Sequence, residues 1–413
     1  MAEAVRSGSF CSSVKEELMG NNRNIKSNDI LVNITCTIVF VVFTFVYLYC
    51  YQADLLTAMQ HVFSKGQTHY NHLIGASLIT FILLLVQRGV SRLCQGVRVA
   101  NSLTYVPSAL LLTFLTSAHP DIQDGGFSFG GWAIALPILL VVFAGLVIFS
   151  FKSGLSEVLS DIVSTQYRRL WVNLAIMTAE MLFVGCLSYD DATFHNRINA
   201  EQCILDGDYD GALASVARNA EADENLTMLA AYALSKKGTM ADELFEYKLK
   251  GKSASLVPNK TTTSFVAYPD SVFYGKMGGW FRQPMSASRY FDYLRRHGRL
   301  RGASVDYYLC GMLMDCNLPG FAKQLPKYYT LNDSLPKHYK EALILYRHRY
   351  SNPAVVYDNA VTNADYQDFQ KLSASLPDQK ERKKQLADTY GNTYWYYYQY
   401  NAKRKNDSRY YHI

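Results

Sequence analysis

Glu180 is the residue whose position has the largest chemical consequence. It stands near the middle of an apolar run, residues 170–187, with Asn173 seven residues before it. Two helical turns separate the two positions, so a helix places them on one face. A carboxylate in hydrocarbon is costly, and such groups turn toward a bundle interior or a cavity. Two roles follow. Either Glu180 handles a proton or a ligand, or it is protonated and hydrogen-bonded to Tyr105, Ser108 or Thr113 of another apolar run. Other chemistry is sparse. The chain has no Walker A loop, GxGxxG, HExxH, nucleophile elbow or kinase signature. The glycine-rich GKMGGW at 275–280 follows no strand, so it is not a phosphate cradle. His195, His297, His338 and His348 lack metal-ligand spacing, and His195 reads as a solvated or locally bonded helix residue rather than a base. Asp121 and Asp124 form a pair of acids suited to a cation, but turn chemistry explains the same residues.

The element that positions Glu180 is one of five apolar stretches, about 30–50, 72–87, 103–118, 132–151 and 170–187. Each approaches the roughly 20 residues a helix needs to cross about 30 Å of hydrocarbon, although the second and third are short. The first has no small-x-small cleavage site after it and ends in Tyr47, Tyr49 and Tyr51, an aromatic belt, so it reads as a retained anchor.

Charge sets the orientation. Arg6, Lys15, Arg23 and Lys26 precede the first stretch. Arg88, Arg92 and Arg98 follow the second, and Lys152, Arg168 and Arg169 follow the fourth. The opposite loops hold only Lys65, beside Asp54, Asp121 and Asp124. Ten basic residues against one place the polar segment 1–29 in the cytoplasm. Five spans then put residues 188–413 outside it, in the periplasm if the cell is diderm. The chain is expected in the inner (plasma) membrane, with the lipid bilayer as one partner.

Residues 188–413 are long enough to bury a core and rich in Leu, Tyr, Phe and Ala. A net charge of +6, much of it on cytoplasmic loops, gives no reason to expect a nucleic-acid partner. The eight cysteines are scattered, and Cys203, Cys310 and Cys316 show no metal spacing. Helical positions 310 and 316 point in different directions, so free thiols are expected.

This half reads as helical hairpins. Asp190 and Asp191 can cap a helix that breaks at 207–211, and further helices break at 223–225, Gly238 and Gly251. Helical segments then follow at 286–298, 303–316, 320–329, 337–350, 366–375 and 380–400, after an extended connection at 256–268. The sequence GDYDGALASVARNAEADEN, residues 207–225, resembles the second helix of a tetratricopeptide repeat and its exit. On that resemblance Gly207 occupies the tight turn, Tyr209 packs into the hairpin, and Ala212 sits where two helices cross closely. Gly238 closes LTMLAAYALSKKG, similar to the first helix of the next repeat. The expected fold is all-α: a five-helix transmembrane block followed by a soluble, tetratricopeptide-like α-solenoid.

The C-terminal YWYYYQY, residues 394–400, is flanked by Lys and Arg. Trp395, Tyr397 and Tyr398 suit a membrane interface or a protein hot spot, or they pack onto the last helices as core. The order of parts, with SYDDATFHNRINAEQ opening the soluble half and LPKHYKEALILY near its end, is similar to an uncharacterised family of multi-pass membrane proteins from Bacteroidetes. That resemblance implies architecture and location, and no activity. Two function classes remain. One is a non-catalytic membrane-anchored scaffold, without cofactor or metal, that binds a protein or peptide. The other is a membrane-embedded enzyme or transporter acting on a lipid or glycan.

Overall fold

Four helices are long and apolar enough to cross a membrane: Ile30–Tyr51 (α1), His72–Leu93 (α3), Trp132–Ser150 within Trp132–Ser153 (α5), and Tyr167–Leu187 within Gln166–Leu187 (α6). Each presents large apolar side chains outward, among them Ile34, Leu78, Ile134 and Leu182. A computed structural model describes residues 30–94, 101–121, 126–153, 166–279 and 285–401. The basic segment 1–29, Arg98, Asp124 and the basic residues after 401 lie outside the described residues. Two units separate, Met1–Asp121 with Gly125–Asp190, and Ile122–Asp124 with Asp191–Ile413.

The expected span at 103–118 is corrected. A 3-10 turn at Asn101–Tyr105 leads into an α-helix of 11 residues, Val106–Thr116 (α4), which is about 16 Å long and too short to cross hydrocarbon as an α-helix. No residue from 101 to 116 is exposed, so protein covers this segment where the four long helices face outward. Its two ends are tied to opposite ends of the bundle. The Ser102 N–H donates to Asn173 Oδ1 (2.9 Å), Gln87 Nε2 donates to Thr104 Oγ1 (3.0 Å), and Tyr105 and Thr37 share a hydroxyl bond (3.0 Å). At the other end the Tyr189 N–H donates to Thr116 O (2.8 Å), and Gln52 Nε2 reaches Tyr189 O (3.4 Å). Pro107 at the start of α4 lacks an N–H that the first turn cannot pair anyway.

Two small elements were not foreseen. Ala53–Phe63 is a helix (α2) with Leu55, Leu56, Ala58 and Met59 buried. His119–Asp121 (β1) pairs antiparallel with Gly126–Ser128 (β2), the only ladder among the described residues.

The second unit is built of helices, with a stretch free of helix and strand at 257–269. Ala192–Asp206 (α7), Tyr209–Arg218 (α8) and Glu224–Lys237 (α9) pack in chain order. Their ends follow from local chemistry. Asp191, Asp208 and Asp223 accept N–H bonds at the three N-termini, and Gly207 and Gly238 close α7 and α9 at φ +80° and +76°, the left-handed region that glycine enters without strain. The helix expected to follow Gly238 shortens to Met240–Glu243 (α10), because the chain turns to bury Leu244, Phe245 and Leu249.

Beyond these come Asp270–Met277 (α11, inside a stretch not expected to be helical), Ala287–Arg296 (α12), Ala303–Met314 (α13), Leu318–Gln324 (α14), Lys337–Arg349 (α15), Ala360–Ser375 (α16), Gln379–Tyr390 (α17) and Tyr394–Tyr396 (α18). The single helix expected over 380–400 is interrupted at Gly391–Thr393, where Thr393 caps α18 by accepting the Tyr396 N–H. Helix α9 packs on α13, and α10 packs on α15. An extended solenoid has contacts between sequence neighbours only. Here one cluster of buried side chains runs from Ala200 to Tyr397, so the helices close around a shared core.

Ala212 is fully buried, whereas Ala214 on the same helix is exposed. Ala212→Trp should overpack the α7–α8 contact at a cost of about 1–3 kcal/mol. Thermal melting of the purified full-length protein should show a clear drop for this variant and little change for Ala214→Trp. Equal melting temperatures would remove the close helix crossing from the account.

Candidate functional site

The polar residues of the first unit surround α4. Asn173 is buried, accepts the Ser102 N–H and donates to Arg169 O (2.8 Å). It therefore fixes the turn that enters α4. Glu180 is half-buried, and its Oε1 has no hydrogen-bond partner. The three partners expected for it are committed elsewhere. The Tyr105 hydroxyl bonds Thr37, Ser108 Oγ donates to Leu83 O (2.8 Å), and Thr113 Oγ1 donates to Ala109 O (2.9 Å). Among the described residues no hydrogen bond joins Glu180 Oε1 to any of the three. The acid pair of the 121–126 loop falls mostly outside the described residues, and no cluster with metal-ligand character occurs among those described.

In the second unit the residues expected to pack the hairpins lie in or beside the core. Ala212 is buried, Tyr209 is half-buried, and both glycines cap helices. Cys310 and Cys316 are free thiols, and burial raises both, Cys316 to about 11. They are therefore poor nucleophiles.

The aromatic tail follows the core-packing alternative at two of its three named rings. Trp395 and Tyr397 are buried, so neither ring is available to a partner or a membrane. Trp395 Nε1 donates to Glu341 O (2.8 Å), and the Tyr397 hydroxyl donates to Met314 O (3.3 Å). Only Tyr398 is half-buried, with the Arg349 guanidinium 5.1 Å from its ring centre.

Three acids, Glu201 and Glu341 buried and Asp306 half-buried, were not singled out by sequence reasoning, which has no signal for a carboxylate folded against a distant loop. Glu201 on α7 accepts the N–H groups of Val266 (3.0 Å), Ala267 (2.6 Å) and Tyr268 (2.6 Å). Burial pushes its carboxyl up, while Arg197 and the three N–H donors pull it down. Arg197 itself donates to Ser264 O (2.5 Å), so the pair pins the 264–268 segment to α7. Asp306 accepts the hydroxyls of Tyr329 (2.6 Å) and Tyr339 (2.9 Å). Glu341 Oε2 takes His338 Nδ1 (2.9 Å) and the Tyr394 N–H (2.7 Å). All three are occupied by internal bonds, which is what a framework requires.

The outward chemistry of this unit concentrates where the chain leaves α15. Tyr350, Val356 and Val361 are exposed, the two valines by 69% and 71%. The segment between them is held down. Ala354 N–H donates to the Tyr346 hydroxyl (3.2 Å), Arg347 pairs with Asp358 (2.8 Å), and His348 Nε2 bonds Asn363 Oδ1 (3.0 Å). Apolar side chains displayed on a pinned segment resemble the core of a protein contact more than a frayed loop.

These features define an all-helical protein with four candidate membrane helices and a helical second unit. Residues 286–401, which contain the Glu341 linkage and this exposed segment, match a family of unknown function, DUF6057. No curated protein and no solved structure matches the chain.

Glu341→Leu should strand the Tyr394 N–H and His338, at a cost of roughly 3–5 kcal/mol. Glu341→Gln should lose markedly less, since its amide oxygen still accepts. Urea unfolding of the full-length protein, followed by tryptophan fluorescence, measures both. Similar midpoints for the two variants would show that the carboxylate is not what holds the tail.

Proposed function

We propose that the protein is a membrane-anchored scaffold whose second unit binds a protein or peptide on the far side of the membrane from the N-terminus. The observation that carries this reading is the exposed apolar set Tyr350, Val356 and Val361 on a segment fixed by hydrogen bonds and an ion pair. Rigid presentation lowers the ordering cost of association. The α7–α9 hairpins, with glycine closures at 207 and 238, support a tetratricopeptide-like origin for this unit. The likeness to multi-pass proteins of Bacteroidetes supports an inner-membrane setting.

The topology follows from two features. Basic residues mark residues 1–29, 88–98 and 152–169 as cytoplasmic. The buried segment 101–116 supports a fifth passage, because its 3-10 turn adds about 10 Å to the roughly 16 Å of α4 that is too short alone. A reporter active only outside the cytoplasm should work when fused after Ile413 and fail when fused at Gly96. An inactive C-terminal fusion in a stable, full-length protein would overturn this topology.

A second reading, a membrane-embedded enzyme or transporter of a lipid or glycan, is favoured by the unpartnered Glu180 Oε1. One experiment separates the two. Affinity capture with the intact membrane protein should lose its specific partner in the Val356→Asp, Val361→Asp double variant and keep it in Glu180→Gln. Unchanged capture by the double variant would sink the scaffold surface. A cellular phenotype lost only with Glu180→Gln, at normal abundance, would favour the second reading.

A further inference from the structure

A groove of about 300 Å³ runs between the first turns of α1 and the last turns of α3, lined by Ile30, Asn33, Ile34, Thr37, Ile38 and Arg88. Its lining is divided by chemistry. Ile30, Ile34 and Ile38 recur every four residues on one exposed stripe of α1. Asn33 and Arg88 are exposed polar residues beside that stripe. Thr37 is committed, donating to Asn33 O (2.8 Å) and sharing a bond with the Tyr105 hydroxyl (3.0 Å). Among the described residues, the groove donors without a hydrogen bond are therefore the Asn33 amide and the Arg88 guanidinium.

Arg88 lies five residues before the end of α3, about 8 Å along the axis, within the helix's candidate membrane span. Among the described residues no carboxylate forms an ion pair with it. A guanidinium near the cytoplasmic end of a membrane helix lies at head-group level, and its planar fork suits a phosphate. The isoleucine stripe excludes a small hydrated anion as the natural occupant, because it offers apolar area and no further donors. An acyl chain fits it.

We propose that this groove is a binding site for an anionic phospholipid. Arg88 and Asn33 hold the phosphodiester, and one acyl chain lies along Ile30, Ile34 and Ile38. Basic pockets between membrane helices recognise anionic head groups on the same physical grounds. The proposal rests on the first unit being embedded in a membrane.

The test uses the full-length protein in mild detergent, with binding of phosphatidylglycerol, phosphatidylcholine and inorganic phosphate measured by native mass spectrometry. Phosphatidylglycerol should bind most tightly. Arg88→Gln should weaken it about tenfold or more, the loss expected when one hydrogen bond to a charged group is removed. Arg88→Lys should retain part of the preference, and Asn33→Leu should weaken binding less than Arg88→Gln does. The last two variants keep the test informative if Arg88→Gln does not fold. Equal binding of the two lipids, phosphatidylglycerol binding unaltered in folded Arg88→Gln, or inorganic phosphate binding as tightly as the lipid would each overturn the site. Sedimentation of the protein with carbonate-washed membranes checks the membrane reading separately. A protein that sediments but does not discriminate the lipids refutes the groove alone.

Discussion

The second unit depends on one buried carboxylate more than on any other single group. Glu341 sits on α15 at 4% exposure, and its side chain and backbone together receive His338, the Tyr394 N–H and the Trp395 indole. Residues 394–397 thereby close over α15 and reach α13, where the Tyr394 hydroxyl donates to Leu313 O (3.0 Å). Phe245 meets His338, Tyr394 and Tyr397 edge-on, which brings the turn after α10 into the same cluster. An uncompensated carboxylate at this depth would be strongly destabilising. The two donors on Glu341 Oε2 and the indole on its carbonyl tie α15 to α18 and the tail.

The tyrosines follow the same logic. Tyr232, Tyr339 and Tyr394 are fully buried, and each ring supplies a large apolar area together with a hydroxyl that needs a partner. Tyr232 finds Tyr268 (2.5 Å), Tyr339 finds Asp306 and Tyr394 finds Leu313. A core built this way is specified by directional bonds as well as by shape. It runs through one contiguous cluster of buried side chains from Ala200 to Tyr397.

Much of the local structure was legible in the sequence, because it is set by nearby residues. Asp191, Asp208 and Asp223 start helices, Gly207 and Gly238 end them, and four apolar runs give four long helices. What was not legible depends on distant contacts. The run at 103–118 has the composition of a span, but its length as helix and its burial by protein are properties of the bundle. YWYYYQY at 394–400 suits an interface or a packed core, and only the distant contacts with Glu341 and Met314 decide that Trp395 and Tyr397 face inward. Glu201 is unremarkable in a helix until 264–268 folds onto it. Hydrophobicity reports that a side chain leaves water, and it does not report whether lipid or protein receives it.

The two units also differ in how completely they satisfy their polar atoms. Eleven buried side-chain atoms lack a protein partner among the described residues, and seven of them, including Thr44 Oγ1, Thr80 Oγ1, Gln87 Oε1, Ser102 Oγ and Glu180 Oε1, belong to the first unit. That is the smaller unit and the one whose long helices face outward with apolar side chains, where an unsatisfied group is most costly. A bundle serving only as an anchor gains nothing from such atoms, since Ala or Val at these positions packs without penalty. The polar interior around α4, with Asn173 at its entrance and Glu180 on the same helix, is therefore where the membrane block departs furthest from what anchoring alone requires.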